Sequence, residues 1–259
     1  MIAKGLIHIH SNYSDGKLTL KEIRDRAQIL GMNFIFLADH LSLIEKEKNG
    51  FEEFKRECEA LSGEKLLVIP GFEIETKENY HVLVYNGRSP VKDGLSVREL
   101  FGIFSGQDVF LVLAHASQIS KKPAQELFEK VDAMEVWNAR YDSKYAPDTK
   151  SLKWIKGTNL VPFIGSDAHS LLGLEKLWVE VEIERLEVKQ IIDSLKKNKF
   201  KVANNFTLIN LKEPFTFFQF FYFKVINLFL APVRDFFVFW VKKGFRPPDF
   251  IKKIFHKFY

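Results

Sequence analysis

The histidines of this 259-residue chain lie mostly in or directly after segments that predict β-strands, and this holds for six of the seven. His8 and His10 flank Ile9, and because strand residues alternate between the two faces of a sheet, both imidazoles should point to one side. Asp167 and His169 repeat this spacing of two after another apolar run. Imidazole and carboxylate groups gathered in this way are ligands for transition metals.

Further candidate ligands stand in similar positions. His40, Glu73 and His115 each come soon after a short apolar run, whereas His81 opens its predicted strand. A single catalytic zinc needs about three protein ligands, so this larger set predicts two or three divalent metals. Nitrogen and oxygen ligands suit Zn²⁺, Mn²⁺ or Fe²⁺ and are poor for Ca²⁺, which prefers oxygen alone.

The elements that must position these side chains alternate between strand and helix over the first 200 residues. Thr19 and Glu22 form the signature of a capping box, in which each side chain satisfies an exposed backbone donor of the other. A helix should therefore begin there and end near Gly31. The run at 34–38 is too uniformly apolar for a one-sided strand and indicates a strand buried on both faces.

The other predicted elements continue the alternation. Further strands are predicted at 6–9, 66–69, 81–85, 109–113, 133–137, 160–164 and 178–183, the last as an edge strand. Further helices are predicted at 50–61, from 96, and at 123–131, 149–156 and 187–197. Strands separated by helices indicate an α/β fold with a parallel sheet, either open or closed into a barrel. In a barrel, the ends of the strands gather at one mouth, and the candidate ligands would meet there.

The motifs that carry these residues resemble, in their order, those of the polymerase and histidinol phosphatase (PHP) superfamily. The resemblance extends over about residues 2–205. Its motifs are His8-Ile9-His10-Ser11, Ser14-Asp15-Gly16, Ala38-Asp39-His40, Pro70-Gly71-Phe72-Glu73-Ile74, His81-Val82-Leu83, Ala114-His115 and Gly165-Ser166-Asp167-Ala168-His169. Each motif is short, and their ordered combination is what makes the resemblance specific.

The resemblance implies a distorted (β/α)7 barrel, similar to a TIM barrel, that holds up to three metals. By motif, His8, His10 and Asp167 would bind the first metal. Glu73 would bridge the first metal and the second. The resemblance thus implies a site in which one carboxylate links two neighbouring ions.

The second and third metals would take the remaining candidates. His81 and His115 would complete the second metal, and His40 and His169 would hold the third. Asp15 is the nearest further ligand for the third metal. Some relatives carry a histidine in this neighbourhood, so the sequence departs from the family's pattern here.

A cluster of divalent metals predicts a hydrolase that acts on phosphate esters. Two cations a few ångströms apart lower the pKa of a bridging water, clamp the phosphoryl oxygens and stabilise the leaving oxygen, so we expect attack by a metal-activated hydroxide. The catalytic candidates are Asp167, His169 and Asp15, and either His169 or Asp15 would protonate the leaving group. Arg140 and Lys144 are candidates for binding the substrate phosphate.

Further cationic and acidic residues are candidates for supporting roles. Lys121 and Lys122, which follow His115, are further candidates for phosphate contacts. Glu135 resembles a residue that recurs in the family after this strand. A structural role in support of a ligand is expected for it, and not metal ligation.

Two alternative functions remain open at the level of sequence. A PHP-type exonuclease or phosphodiesterase acting on short nucleic acid would make similar demands on the metals, but would need a groove with stacking aromatic residues and cationic phosphate contacts. Residues 1–209 carry 29 basic and 30 acidic groups, so a small phosphorylated substrate is expected and a long nucleic acid is not. The other alternative is a non-catalytic PHP scaffold that acts through its C-terminal tail.

Composition changes near residue 210, which divides the chain into a PHP hydrolase domain at 1–209 and a C-terminal segment at 210–259. That segment holds 14 of the 26 phenylalanines and nine basic against three acidic residues. We expect an aromatic, basic and helical appendage that binds an anionic membrane surface, self-associates or packs on the barrel. Lys224 interrupts its first apolar run, which argues against a membrane-spanning helix.

The N-terminus and the cysteine content favour a cytoplasmic protein. The first ten residues lack the long apolar region of a signal peptide. The single cysteine, Cys58, cannot form an intrachain disulfide, which fits a reducing compartment. If the appendage binds lipid, the protein would lie on the inner face of the membrane.

Overall fold

The computed structural model describes residues 1–44, 50–87, 91–142, 145–205, 207–211, 221–223, 225 and 228–229, which adopt an α/β fold. The strands formed by these residues are β1 (Ile2–Ile9), β2 (Phe34–Leu37), β3 (Asp39–His40), β4 (Leu67–Ile69), β5 (Gly71–Glu75), β6 (His81–Tyr85), β7 (Phe110–Leu113), β8 (Ala133–Asn138), β9 (Val161–Gly165), β10 (Trp178–Glu182), β11 (Phe200–Ala203) and β12 (Leu208–Ile209). The helices are α1 (Leu20–Ile29), α2 (Leu41–Ile44), α3 (Gly50–Leu61), α4 (Val97–Phe104), α5 (Gln125–Phe128), α6 (Thr149–Ile155) and α7 (Val188–Lys196).

The strands pair into two mixed sheets. In one sheet the order is β12-β11-β10-β1-β2-β4, and in the other it is β3-β5-β6-β7-β8-β9. The prediction that 178–183 forms an edge strand was wrong. β10 lies between β1 and β11, because the segment after α7 supplies a further antiparallel strand that the sequence pattern did not reveal.

β6 departs from the parallel arrangement that the sequence predicted. It runs antiparallel to both β5 and β7, and a short turn instead of a helix separates it from β5. Its first residue, His81, therefore pairs with Glu75 near the end of β5, and its carbonyl accepts a 2.9 Å hydrogen bond from Ala114 N just beyond β7. This reversal explains why a histidine that opens a strand lies at the same rim as histidines that end strands.

The two sheets are linked in two places. Beside β1, Ala168 N donates to His8 O at 3.1 Å and His10 N donates to Ala168 O at 3.0 Å, just beyond β9. Elsewhere, β2 continues into β3 and β4 continues into β5 after one intervening residue each. Glu73, which follows the 66–69 strand in the sequence, consequently lies within β5.

The local signals for helices and buried strands were confirmed. Thr19 Oγ1 accepts a hydrogen bond from Glu22 N, and the Glu22 carboxylate accepts one from Thr19 N. Gly31 follows α1 with φ +69°, a conformation that glycine adopts without steric cost. Every residue of 34–38 is fully buried, as expected for a strand covered on both faces. The helix predicted at 123–131 is shorter, since α5 spans Gln125–Phe128.

Most of the predicted C-terminal appendage lies outside the described residues. In the part that is described, Phe223 is buried and its ring centroid lies 6.4 Å from that of Trp137. Phe221, Leu228 and Phe229 are exposed. Within the described ranges, no helix has both the length and the apolar character needed to cross a membrane.

Candidate metal centre

Four predicted ligands from different parts of the chain converge beside β1. His8 Nε2 lies 3.1 Å from His10 Nε2 and 3.5 Å from Glu73 Oε2. His10 Nε2 lies 3.4 Å from the same Glu73 oxygen and 3.7 Å from Asp167 Oδ1. Two imidazoles and two carboxylates thus direct lone-pair atoms into one space.

His81 and His115 flank the other oxygen of Glu73. His81 Nδ1 lies 2.6 Å from Glu73 Oε1, and His115 Nε2 lies 3.2 Å from it. His115 Nε2 is also 3.3 Å from Asp167 Oδ2. The Glu73 carboxylate therefore lies between two sets of histidines, each of which faces one of its oxygens.

Asp15 lies at the centre of a third set of residues. Its Oδ1 atom is 3.4 Å from His10 Nδ1 and 3.8 Å from His40 Nε2, and its Oδ2 atom is 3.0 Å from His169 Nε2. The rings of His10 and His169 stack with centroids 4.0 Å apart. The exposed turn that carries Asp15 is thus connected to the buried part of the rim.

The chemistry and spacing of these donors fit divalent metal ions. Within three overlapping groups, one ligand atom from every member lies within 4.8 Å of the others. The groups are His8, His10 and Asp167; His8, Glu73 and His115; and His10, Asp15, His40 and His169. The buried His10 Nδ1 makes no hydrogen bond of normal geometry within the described part of the chain, although Asp15 Oδ1 lies 3.4 Å away, and this leaves the nitrogen available to a cation. Imidazole and carboxylate donors are the set that transition metals prefer.

Glu135 supports the site from behind. His8 Nδ1 lies 2.6 Å from Glu135 Oε1, while Oε2 accepts hydrogen bonds from His115 N and Asn138 Nδ2, both at 2.9 Å. With Nδ1 engaged, His8 presents Nε2 to the other ligands. Gly165 leaves the room that Glu135 needs, because a Cβ atom there would collide with its carboxylate.

Asp39 fixes the turn that carries Asp15, a role that was not predicted from the motif Ala38-Asp39-His40. Its buried carboxylate accepts hydrogen bonds from Ser11 N at 2.7 Å, Ser11 Oγ at 2.9 Å and Ser14 Oγ at 2.6 Å. Burial raises the pKa of Asp39 to about 6 despite these hydrogen bonds. Its place directly before His40 was the available signal, because a carboxylate at the end of a buried strand needs partners.

Burial and neighbouring charges shift the pKa values at the rim. Burial lowers the pKa of His10 to about 4 and also lowers the pKa values of His115 and His169. For Glu73 and Asp167, burial acts to raise the pKa, but the adjacent histidines outweigh it and lower the pKa of both carboxyls. These directions favour neutral imidazoles and ionised carboxylates, which are the forms that bind metals.

His8 and His81 shift the other way. Burial acts to lower the pKa of His8, but the charges of Glu135 and Asp167 outweigh it and raise the pKa. Burial also acts to lower the pKa of His81, but the hydrogen bond to Glu73 and the charges of Glu73 and Glu75 together outweigh it and raise the pKa. In both histidines Nδ1 is the atom that contacts the carboxylate, at 2.6 Å from Glu135 Oε1 for His8 and at 2.6 Å from Glu73 Oε1 for His81.

The backbone turns sharply at several of the candidate ligands. Among the described residues, the non-glycine positions with positive φ are three asparagines and three candidate ligands, His8, His115 and Asp167. A positive φ at a non-glycine residue costs about 1–3 kcal/mol of conformational free energy, and it persists where the surrounding structure enforces it. At His8 the β1–β2 register shifts, so a regular alternation of faces does not by itself explain how this side chain meets that of His10.

Of the predicted phosphate-binding residues, Arg140 reaches the rim. Its Nη1 atom lies 3.1 Å from Asp167 Oδ1 and 2.8 Å from His169 Nε2, and the side chain is 45% exposed. Lys144 lies outside the described residues, so its position stays a prediction. Lys121 is exposed in the wall of a cleft beside the rim.

The rim thus has the character of a centre for several metals, built from side chains carried by an α/β fold. The family model for the PHP domain matches residues 7–136, and the chain belongs to this family. The match confirms the resemblance found in the motifs and includes every proposed ligand except Asp167 and His169. No curated protein sequence matches the chain.

Solved structures with a similar fold share little sequence with the chain. A two-domain protein from Bacteroides vulgatus containing a predicted PHP-like metal-dependent phosphoesterase has a TM-score of 0.64 and 18% identity, over 80% of this chain and 66% of its own. PsfC from Pseudomonas syringae has a TM-score of 0.62 and 15% identity, over 79% and 92%. The lesion-specific endonuclease PfuEndoQ from Pyrococcus furiosus has a TM-score of 0.54 and 18% identity, over 76% and 56%. The chain spans less than two thirds of the first and third of these proteins.

Proposed function

We propose that this chain is a metal-dependent hydrolase of phosphate esters and that its substrate is a small phosphomonoester, of a metabolite or a nucleotide. The observation that carries the proposal is the overlap of three potential ligand groups at one rim, with His8 and His10 each shared by two groups. Shared ligands would keep neighbouring ions close enough to act on one phosphoryl group. Membership of the PHP family supports this assignment.

The proposed ligands come from the three groups, with His81 added because its Nδ1 atom lies 2.6 Å from Glu73 Oε1. They are His8, His10 and Asp167 for the first ion, His81 and His115 for the second, His40, Asp15 and His169 for the third, and Glu73 between the first and the second. When bound, two or three ions of Zn²⁺, Mn²⁺ or Fe²⁺ would supply Lewis acidity toward the phosphoryl oxygens and a water of lowered pKa. Glu135 would keep His8 turned toward the first ion.

The remaining polar residues of the rim would bind the phosphate and move the proton. The Arg140 guanidinium would donate hydrogen bonds to a phosphoryl oxygen, a contact for which its planar fork is well suited. Asp167 accepts hydrogen bonds from Arg140 and Asn138, which would hold its carboxylate in place during the reaction. His169 and Asp15 lie 3.0 Å apart, and in a centre that holds only the first two ions one of this pair would deliver the proton to the leaving oxygen.

We infer further that the strands close into the distorted seven-stranded barrel that the sequence suggested. The hydrogen bonds that link His8 and His10 to Ala168 support closure beside β1, and the continuation of β2 and β4 into the second sheet supports it elsewhere. The packing of Phe223 on Trp137 supports contact between the C-terminal segment and residues 1–209. Membrane binding, self-association, the domain division at 210 and a cytoplasmic location stay predictions.

The proposal is tested by loading metal-free protein with Mn²⁺, Zn²⁺ or Fe²⁺ and measuring two activities. These are phosphate release from a panel of small phosphomonoesters and cleavage of short end-labelled oligonucleotides. We expect release from phosphomonoesters, and a loss of at least about 100-fold in the variant Glu73→Gln, because this carboxylate serves two ions. Glu75→Gln is the matched control, since Glu75 lies on the same strand but is exposed.

Other outcomes of these two measurements would favour a different function or overturn the proposed site. Cleavage of oligonucleotides without release from phosphomonoesters would favour the nuclease, the activity of the structurally similar endonuclease from Pyrococcus furiosus. Metal binding without either activity would favour a scaffold. Equal activity of Glu73→Gln and Glu75→Gln would overturn the assignment of the site.

A further inference from the structure

A cleft of about 680 Å³ opens beside the proposed metal centre. His81 and His115, the proposed ligands of the second ion, form part of its lining. The rest comes from 78–80, from Ala114, from 118–121 and from Tyr141. Pockets that hold small organic ligands measure about 300–1,000 Å³, so this cleft is large enough for the organic part of a small phosphoester.

The lining combines aromatic rings with uncharged hydrogen-bonding groups. Tyr80 and Tyr141 supply rings, Ile119 supplies an apolar side chain, and Gln118 supplies an amide. Apart from the histidines, the described lining residues include one acidic and one basic side chain, Glu78 and Lys121. Both carboxylate oxygens of Glu78 accept hydrogen bonds from Val97 N, at 3.0 and 3.2 Å, so Glu78 also anchors the first residue of α4. The chemistry of the cleft therefore fits a flat, uncharged group.

Tyr141 links the cleft to the proposed phosphate site. Its ring centroid lies 5.2 Å from that of His115, and the guanidinium carbon of Arg140 lies 5.7 Å from the same Tyr141 centroid. A phosphoryl group bound at Arg140 and the metals would therefore lie close to the Tyr141 ring. Aromatic rings attract one another in offset and edge-to-face arrangements.

Lys150 holds the segment that contributes Gln118 and Ile119 to the cleft. Its Nζ atom donates hydrogen bonds to Ser117 O and Ile119 O, both at 2.9 Å, and lies 5.0 Å from the centroid of the Trp154 ring. These contacts tie the segment after His115 to α6. The cleft is thus built by the fold before any ligand arrives.

We propose that this cleft binds the leaving group of the phosphoester and that Tyr141 selects esters whose alcohol carries a flat ring over esters of aliphatic alcohols. The inference rests on the proposed function, because it requires the phosphoryl group to lie at the metal centre. It goes beyond that function by naming the chemical class of the leaving group and the residue that distinguishes it.

The test uses phenylphosphonate and butylphosphonate, whose carbon–phosphorus bonds keep turnover out of the measurement. Binding to the metal-loaded, full-length protein is measured by calorimetry for the wild type, Tyr141→Leu and the control Tyr222→Leu, and metal content is determined for each. We expect the wild type and the control to prefer the phenyl compound by about two- to ten-fold, the range that one aromatic pair supplies. Tyr141→Leu should bind the two compounds equally.

Other results overturn the inference in identifiable ways. A wild type that binds both phosphonates equally, or a preference that Tyr141→Leu retains, removes Tyr141 as the selecting residue. If Tyr141→Leu carries less metal than the wild type, Tyr141→Gln replaces it and the same comparison applies. An intact preference for the phenyl compound together with no hydrolysis of any phosphate ester would overturn the proposed hydrolase and leave the cleft as a binding site.

Discussion

The Nδ1 atom of His8 lies 2.6 Å from Oε1 of Glu135, although 127 positions separate the two residues in the chain. Both side chains are buried. The contact determines which nitrogen of His8 faces His10 and Glu73, so a residue outside the three ligand groups of the described rim controls the direction of a proposed ligand. The contributions of Glu135 and of other residues near the metal centre to metal binding, stability and amide exchange can be measured.

Replacing Glu135 by glutamine should weaken metal binding without unfolding the protein. The amide keeps the size of the carboxylate but presents N–H donors on one side, so it cannot accept from His8 and from His115 N together. We expect a 10- to 100-fold loss of affinity, as is typical for residues that orient a metal-binding histidine. Calorimetric titration of metal-free protein with Zn²⁺ or Mn²⁺ measures it, with the exposed Glu59→Gln as control. Unchanged affinity in Glu135→Gln would contradict the role.

An alanine at Gly16 should damage the group around Asp15. A Cβ atom at this position would collide with the backbone of His10 and Ser11, so the turn that carries Asp15 must shift. We expect fewer bound metal ions per chain by elemental analysis. Gly102→Ala is the matched control, because its Cβ would meet nothing within 4 Å, and an added methyl in a helix should stabilise by about 0.5–1 kcal/mol. Full metal content in Gly16→Ala would refute this prediction.

The variant Asp39→Asn should lower the free energy of unfolding by about 1–3 kcal/mol, because donors that the carboxylate now satisfies would lose an acceptor. The donors concerned belong to Ser11 and Ser14. Urea denaturation measures the change, and Asp25→Asn serves as control. Asp25 forms an exposed ion pair with Lys21, and such pairs contribute about 1 kcal/mol or less. Equal effects of the two substitutions would show that burial of Asp39 is unimportant.

The variant Lys150→Met should loosen the wall of the cleft. Loss of the hydrogen bonds to Ser117 O and Ile119 O removes the contact that ties this segment to α6. We expect faster amide hydrogen exchange at 116–121 while exchange in the central strands is unchanged, since local opening reports local stability. Lys153→Met, on an exposed position of the same helix, should leave exchange at 116–121 as it is in the wild type. Identical amide exchange at 116–121 in Lys150→Met and Lys153→Met would contradict this role of Lys150.

Removal of metal by a chelator should lower the melting temperature. Without cations, the ionised side chains of Glu73 and Asp167 lie close together at the rim with less compensation of their charge. Metal that binds the folded chain at 1,000 times its Kd would stabilise it by about 4 kcal/mol. Differential scanning calorimetry with and without Mn²⁺ measures the shift, which should be smaller in Glu73→Gln. The same melting temperature with and without Mn²⁺ would argue against a metal centre.

Much of the secondary structure and most candidate ligands could be found without the fold. The capping box at Thr19, the buried strand at 34–38 and the positions of His8 and His10 follow from patterns that extend over a few residues. Membership of the PHP family was also visible in the order of the motifs, and the family match confirms it. The roles of Asp39 and Asn138 were not predicted, because an isolated polar residue near a strand end has many local explanations.

The sequence by itself determined which side chains stand near strand ends, because face alternation, capping and turn chemistry act between close neighbours in the chain. Only the tertiary structure decided that β6 runs backwards and brings His81 to the rim, that β10 is an interior strand, and that Glu135 lies behind His8. These relationships depend on which strands pair, and that choice is made by packing and hydrogen bonds between segments far apart in sequence, which no local pattern records.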